Sequence, residues 1–200
     1  MSTPTRNATA ADYLKGMTDA LESVEATGRD ATVLTVERAI AVAVEFLHAV
    51  KREGTKVLLV GNGGSAGIVS HVHNDLCKCV GVRALVFNEV PLLTALANDD
   101  GYDTVFETPM RLWAEEGDVL IAVSSGGESS NIVRAVTLAA ARQCRIVTLS
   151  GFKSGNRLRA LGDINLYVPS AVYGYVEMAH AILAHCITDM AGGVDFSRPA

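Results

Sequence analysis

Residues 56–78 read KVLLVGNGGSAGIVSHVHNDLCK, and this stretch decides the fold. The apolar run at 57–60 is short and unbroken, which is typical of a strand buried on both faces. It ends in the glycine turn GNGGS at 61–65, and a helix follows. Such a turn directs free backbone N–H groups and the positive end of the helix dipole at one place. The segment therefore predicts an anion-binding site at the end of a parallel strand.

The predicted helix carries His71 and Asp75, which are four residues apart and therefore lie on one face. An imidazole beside a carboxylate is suited to proton transfer or to binding a metal ion. Taken alone, such a pair is also typical of an ordinary helix surface. Next to an anion site, the pair indicates chemistry on a phosphorylated small molecule.

The composition of the chain excludes several classes of protein. Two hundred residues, 49% of them hydrophobic, fit one domain with a sizeable core. A net charge of −5 provides no basic surface for general nucleic-acid binding. The polar start and the interrupted apolar stretches predict neither a signal peptide nor a membrane span. Four cysteines without a CxxC pattern predict reduced thiols in a cytoplasmic protein, and Cys77 and Cys79 alone are a weak metal motif.

Strands and helices are expected to alternate along most of the chain. The predicted strands are 56–60, 83–87, 118–123, 145–149 and 163–168. The predicted helices that follow them are 66–78, 91–98, 103–115, 130–142 and 173–191. This order predicts an α/β three-layer sandwich in which helices flank a five-stranded parallel sheet.

Two further helices are predicted before the first strand, at 8–26 and 32–52, and Gly54 has the position of a helix C-cap. We therefore expect a single domain over 1–200, with an N-terminal helical pair at 1–54 and a parallel α/β core at 55–192. A frayed end is expected after Gly192 and Gly193.

A second polar loop, SSGGESSN at 124–131, follows the predicted strand 118–123 and opens the next helix. In parallel sheets, ligands bind beyond the carboxyl ends of the strands. Serine hydroxyls and glycine-exposed amides can hold phosphoryl oxygens without a lysine, although a plain helix-capping turn has a similar composition. Two such loops at neighbouring strand ends favour a phosphate site. The Gly-Lys-Ser/Thr of a nucleotide P-loop is missing, and the spacing differs from the dinucleotide fingerprint.

The last predicted helix contains VEMAHAILAHCITDM, with Glu177, His180 and His185 in an otherwise apolar stretch. Glu177 and His185 are rotated by only about 80° around the helix axis. His180 points further away and is predicted to be a packed or hydrogen-bonded histidine. Buried acidic and imidazole groups need partners. Pairing with His71 and Asp75 would give a set suited to a divalent metal or to proton transfer.

These motifs resemble those of the sugar isomerase (SIS) domain proteins, and among them the phosphoheptose isomerases. The specific pieces are GNGGS followed six residues later by His71, ANDDGYD at 97–103, EGDVLIAVSSGG at 116–127, and the last helix with His185. The resemblance covers nearly the whole chain. It implies the SIS fold, which is flavodoxin-like, and an aldose–ketose isomerase. Such an enzyme converts sedoheptulose 7-phosphate to D-glycero-manno-heptose 7-phosphate, or a close analogue, through an enediol(ate).

The resemblance also implies roles for individual residues. Those expected to bind the sugar phosphate are Asn62, Gly63, Gly64, Ser65, Asp99, Ser124, Ser125, Gly126 and Ser129. Those expected to hold a zinc ion are His71, Asp75, Glu177 and His185, with Asp75 and His185 as the acid/base pair. The family usually has Glu at the position of Asp75, Gln at that of Glu177 and Ser at that of Gly126. A homotetramer with active sites at subunit interfaces is expected.

A non-catalytic SIS domain is the alternative, as a sugar-phosphate sensor or a protein-binding regulator. Such a protein needs only the phosphate loops, so the two histidines and two carboxylates favour an enzyme. A module of the amidotransferase type is disfavoured, because the chain has no room for a glutaminase portion.

Overall fold

A computed structural model describes residues 9–197 of the chain. Its helices are α1 (Ala10–Glu22), α2 (Val36–Glu53), α3 (Gly64–Asp75), α4 (Val90–Asp99), α5 (Glu107–Trp113), α6 (Ser130–Ala141) and α7 (Tyr173–Gly192). Its strands are β1 (Glu25–Gly28), β2 (Val33–Leu34), β3 (Val57–Gly61), β4 (Ala84–Val86), β5 (Val119–Ser124), β6 (Arg145–Gly151) and β7 (Ile164–Val168).

The strands form one sheet in the order β2-β1-β7-β6-β5-β3-β4. Strands β3 to β7 are parallel, while β1 runs antiparallel to both β2 and β7. From β3 the chain goes to β4 on one side and later returns to β5 on the other. The carboxyl ends of β3 and β5 therefore flank the point where the strand order reverses, which is where open α/β sheets bind ligands.

Alternate residues of the strands face two separate cores. Val57 and Leu59 of β3 face the core formed with α1, α2, α3 and α7. Leu58 and Val60 face the core formed with α4, α5 and α6. Burial on both faces explains the continuous apolar strands of the sequence, and the predicted α/β sandwich is confirmed.

The five predicted strands correspond to the parallel strands β3 to β7, but the sheet formed by residues 9–197 contains seven strands in total. The two additional strands lie between α1 and α2, where β1 pairs with β7 through Ala26 and Leu166. The helix predicted at 8–26 ends at Glu22, and its first residue lies outside the described part of the chain. The helix predicted at 32–52 begins at Val36, where the Thr35 side chain accepts a hydrogen bond from the N–H of Arg38. The four-residue β1 is too short for an alternating pattern, and its pairing with β7 decides its conformation.

Two other predicted helices differ from the structure in their bounds. The helix predicted at 66–78 begins earlier, at Gly64, and continues beyond Asp75 as a π-helical turn over Leu76–Val80. The segment predicted as one helix at 103–115 is divided into a 3₁₀ turn, Tyr102–Thr104, and α5. Gly54 caps α2 with φ of 69°, as predicted. The last helix ends at Gly192, and residues 198–200 of the predicted frayed end lie outside the described part.

Helix α7 is the longest helix, with 20 residues, and it packs against α1, α2 and α3. Its apolar sequence is interrupted by Glu177, His180, His185 and Asp189. Within residues 9–197, no helix combines the length and the apolar character needed to cross a membrane.

A buried carboxylate joins the beginnings of β3 and β5. Asp118 is fully buried and accepts hydrogen bonds from the N–H groups of Lys56 (3.0 Å) and Glu115 (2.9 Å). The ammonium group of Lys56 lies 2.9 Å from Asp118 Oδ2 and 2.6 Å from Glu115 Oε2. Burial lowers the pKa of Lys56, but its hydrogen bonds to Glu115 and Asp118 outweigh this effect and leave the pKa above its ordinary value.

Replacing this carboxylate is expected to destabilise the fold. Asp118→Ala leaves one buried and one partly buried N–H group without an acceptor and the Lys56 ammonium with one partner fewer, so the free energy of unfolding should fall by about 3–5 kcal/mol. Urea denaturation followed by circular dichroism measures the change. The control is Asp19→Ala, which removes the exposed ion pair with Lys15 and should change stability little. Equal stability of the two variants would contradict the role of Asp118.

Candidate active site

The two polar loops predicted from the sequence meet at the reversal of strand order. The ladder between β3 and β5 runs to Gly61 paired with Val123, and both loops begin directly after it. Helix α3 starts at Gly64 after the first loop, and α6 starts at Ser130 after the second. Two helix N-termini therefore open at the same edge of the sheet.

A cavity of about 230 Å³, which we call the cradle, lies between these loops. Eight of the nine residues predicted to bind a sugar phosphate line it, together with two others. The lining residues are Asn62, Gly63, Gly64, Ser65, Ser124, Ser125, Gly126, Ser129, Tyr173 and Glu177. The structure therefore brings these eight residues together around one space.

Backbone amides and hydroxyls are the donors of the cradle. Gly63 is the N-cap of α3 with φ of 53°, a conformation that favours glycine. The N–H groups in the first turn of a helix have no intrahelical partner. That of Ala66 donates to the carbonyl oxygen of Gly63 (3.0 Å) and that of Ile132 to Asn131 Oδ1 (2.9 Å), which leaves the N–H groups of Gly64, Ser65, Ser130 and Asn131 to bind an anion. Ser124 Oγ accepts a hydrogen bond from the N–H of Gly127 (3.2 Å) and lies 3.5 Å from Ser129 Oγ. None of the residues lining the cradle is a lysine or an arginine.

Glu177 introduces a negative charge into the cradle. A Cβ atom added to Gly64 would lie 2.6 Å from Glu177 Oε1, so the carboxylate sits directly against the start of α3. This position leaves Glu177 outside the group of potential metal ligands formed by His71, Asp75 and His185. The eight residues from Glu177 to His185 span about 12 Å along the helix axis.

His71, Asp75 and His185 form a compact group, which we call the His–Asp cluster. Asp75 Oδ2 lies 3.5 Å from His71 Nε2 and 3.4 Å from His185 Nδ1. The two imidazole rings are 4.9 Å apart in an edge-to-face arrangement. The Asp75 side chain is 13% exposed, whereas those of His71 and His185 are 59% and 46% exposed. The buried carboxylate is therefore flanked by two imidazoles that reach solvent.

The donor set of this cluster fits a divalent metal ion. One ligand atom from each of the three residues lies within 4.8 Å of the other two. Asp75 Oδ2 is buried and receives no hydrogen bond, which is costly unless a cation or a proton shared with an imidazole stabilises it. Two imidazole nitrogens and a carboxylate oxygen are common zinc ligands, and three protein ligands leave a position open for substrate.

The cradle and the cluster lie at different positions along α3. His71 follows Gly64 by seven residues, or about 10 Å along the helix axis, and Asp75 follows one turn later. Within one chain, a ligand that contacts both the cradle and the His–Asp cluster must carry its anionic group far from its reacting atoms.

Two acidic residues, Asp99 and Glu128, do not line the cradle. Asp99, the ninth residue predicted to bind sugar phosphate, is exposed at the end of α4, does not line the cradle, and accepts a hydrogen bond from Asn98 Nδ2 (2.7 Å). Glu128 belongs to the serine loop, but its carboxylate accepts a hydrogen bond from the N–H of Arg157 (3.0 Å) and does not line the cradle. Its negative charge is therefore directed at the neighbouring loop.

His180 is a packed histidine, as predicted. It is fully buried, and its Nε2 lies 3.1 Å from the carbonyl oxygen of Ser150. Burial lowers the pKa of His180 to about 4, so the ring is neutral near pH 7.

Three residues of the site were not selected from the sequence. Tyr173 lines the cradle, and its ring packs edge-to-face on Phe152. Asn131 and Tyr102 are hydrogen-bonded to Asn62, and Tyr102 also lines a second cavity that adjoins the cradle at Asn62. In the sequence, only their positions could have indicated a role for Asn131 and Tyr102. Asn131 ends the polar loop at 124–131, and Tyr102 follows the ANDDG segment.

Comparison with known proteins agrees with this geometry. The sequence model of the SIS domain matches residues 12–151. A phosphoheptose isomerase from Shewanella sp. (strain ANA-3) is 33% identical over 158 residues, which is 75% of this chain and 80% of the relative. A phosphoheptose isomerase from Shewanella baltica has the same identity over the same length.

Solved structures of similar proteins extend the likeness to the fold. Phosphoheptose isomerase GmhA from Neisseria gonorrhoeae is 26% identical, with a TM-score of 0.80 over 92% of this chain and 97% of the other. A phosphoheptose isomerase from Francisella tularensis is 25% identical, with a TM-score of 0.79 over 93% of this chain and 100% of the other. The chain therefore belongs to the SIS domain family and is of the phosphoheptose isomerase type.

Proposed function

We propose that the protein is an aldose–ketose isomerase of a phosphorylated sugar. The substrate is sedoheptulose 7-phosphate or a close analogue. Sedoheptulose 7-phosphate would be converted to D-glycero-manno-heptose 7-phosphate. The observation that carries the proposal is an anion cradle at the start of α3 together with a His–Asp cluster further along the same helix, which His185 of α7 completes. The names of the relatives support the same substrate class.

The phosphate binds in the cradle. Free N–H groups at the starts of α3 and α6 donate to its oxygens, and the hydroxyls of Ser65, Ser124, Ser125 and Ser129 complete the shell. Two helix dipoles supply the positive potential that a lysine would otherwise provide. Holding the phosphate fixes the position of the reacting carbons at the far end of the sugar.

Asp75 and His185 form the acid/base pair. One group of the pair removes the proton from the carbon next to the carbonyl, which gives an enediol(ate), and the proton returns to the adjacent carbon. The other group moves a proton between the two oxygens. The 3.4 Å separation of Asp75 Oδ2 and His185 Nδ1 places the two groups side by side, as a pair of proton carriers on one substrate requires.

His71, Asp75 and His185 would hold a divalent cation, with zinc as the family's metal. Bound there, the cation would polarise the substrate's carbonyl and hydroxyl oxygens. Glu177, the fourth ligand predicted from the sequence, lies at the cradle and stays a proposed ligand.

We also propose a homotetramer in the cytoplasm. Helix α7 exposes the apolar side chains of Met178, Ile182 and Met190, at 51%, 44% and 41%. Exposed apolar side chains on one long helix support the proposal that α7 packs against further copies of the chain. Glu177 and His185 are on the same helix, so such an assembly would place the site close to a subunit interface.

Removing either member of the acid/base pair is expected to abolish isomerisation. Asp75→Asn and His185→Ala should lower kcat by about 10²–10⁴-fold, the usual contribution of a positioned proton carrier. The assay follows aldose formation and deuterium at C2 from sedoheptulose 7-phosphate in deuterium oxide. His73→Ala is the matched control, because His73 is on the same helix outside the cluster.

Two results would contradict this assignment. Full activity of either variant would exclude the pair as proton carriers. If the unmodified protein turns over neither this substrate nor homologous ketose phosphates, while these ligands raise its Tm, the protein is a sensor.

Removing the charge of Glu177 is expected to strengthen phosphate binding. Glu177→Gln should lower the Kd for inorganic phosphate roughly fivefold, because a like charge near a partly exposed site costs on the order of 1 kcal/mol. Calorimetry on metal-free protein measures this change. Glu128→Gln, on the serine loop but directed at Arg157, should leave the Kd unchanged. Weaker binding by Glu177→Gln would mean that the carboxylate assists the anion.

Metal binding can be tested without catalysis. His71→Ala should weaken Co²⁺ binding by more than the roughly 10–100-fold caused by loss of an outer-shell partner. The visible absorption of bound Co²⁺ reports the affinity, with His73→Ala as the control. If His71→Ala binds Co²⁺ like the unmodified protein, the cluster is not the metal site. An equal loss in Glu177→Gln would support the four-residue set.

A further inference from the structure

The side chains of Asn62 and Asn131 face each other across the base of the cradle. Asn62 Nδ2 donates to Asn131 Oδ1 at 2.9 Å, and Asn131 Nδ2 donates to Asn62 Oδ1 at 3.0 Å. Asn62 belongs to the turn after β3, whereas Asn131 is the second residue of α6 after β5. The reciprocal pair therefore links the two loops that form the cradle.

Two further donors fix the orientation of this pair. The N–H of Ile132 donates to Asn131 Oδ1 at 2.9 Å, so the oxygen of Asn131 must face the start of α6. The hydroxyl of Tyr102 donates to Asn62 Oδ1 at 2.9 Å. Each amide oxygen thus accepts two hydrogen bonds, which is its full capacity. Asn131 is only 3% exposed, so its polar atoms depend on these partners.

We propose that Asn131 and Tyr102 are positioning residues for the phosphate cradle, acting through Asn62. We call the three side chains the amide clasp. The clasp holds the loops at 61–65 and 124–131 at one spacing, so that the N–H groups of α3 and α6 converge on the same anion. The Asn62 oxygen has no capacity left to accept from a ligand hydroxyl, so the side chain serves the loops first.

The need for such a link follows from the composition of the loops. Glycines at 63, 64, 126 and 127 give both loops wide conformational freedom. The β ladders restrain them only as far as Gly61 of β3 and Ser124 of β5. Loops ordered before binding do not lose that freedom when the anion arrives, which strengthens affinity. The clasp provides this order beyond the end of the ladder.

A double-mutant cycle on the full chain tests the clasp. Asn62→Ala and Asn131→Ala should each weaken the binding of inorganic phosphate about tenfold, within the couplings known for one hydrogen-bond network. The double variant should bind no more weakly than the weaker single variant, because one unit is lost in each case. Calorimetry gives the Kd values, and circular dichroism verifies folding. Asn88→Ala, which removes a partly buried amide bonded to Ala66 and Ser70, should leave the Kd unchanged.

Tyr102→Phe keeps the proposal testable if the asparagine variants do not fold. It removes one hydroxyl from a residue that is 49% exposed, so it should fold normally. We expect a loss of about threefold in phosphate affinity, and unchanged affinity would contradict the clasp. Where Asn62→Ala folds, Tyr102→Phe should cause no further loss in that background, as for coupled residues. In the isomerase assay, the loss should appear in KM with kcat retained, whereas a general structural defect would lower both.

The possible outcomes distinguish a failure of this proposal from a failure of the proposed function. Only the KM measurement depends on the proposed function. Additive losses in the cycle would overturn the clasp, because Asn62 would then contact the anion independently. Unchanged phosphate affinity in folded Asn131→Ala would overturn it as well, even if the protein is an isomerase. If the protein binds phosphate through the clasp but isomerises no sugar, the clasp stands and the proposed function fails.

Discussion

Backbone N–H groups at a helix N-terminus lack partners within the helix, and two such helices begin side by side after β3 and β5. Their proximity results from the reversal of strand order at β3, which places both carboxyl ends at one crevice. The buried contact of Asp118 with Lys56 fixes the opposite ends of the same strands. The proposed anion binding therefore depends on the backbone topology, which side chains refine.

Helix α3 combines two tasks that differ in their physical requirements. Its first turn must stay free of bulky side chains, as the carboxylate pressed against Gly64 shows. Its last turns carry His71 and Asp75, whose chemistry depends on packing against His185 of α7. The two tasks meet only through a ligand long enough to reach both, which agrees with a sugar that bears its phosphate at the far end.

The sequence predicted the parts of this site that depend on local patterns. The apolar run of β3 with its glycine turn, and that of β5 with its serine loop, located eight cradle residues in advance. The spacing of His71 and Asp75 likewise needs only helix geometry. Glu177 was grouped with His185 by its angle around α7, but the distance along the axis separates them. The strand β1 and the partners of Asn131 and Tyr102 depend on residues remote in sequence, which no local pattern encodes.

Short strands form both edges of the sheet. The outermost strands, β2 and β4, contain only two and three residues. They offer few unpaired N–H and C=O groups to a passing chain, so growth of the sheet by addition of foreign strands is blocked at each edge. Association of folded copies through their sheet edges is therefore disfavoured.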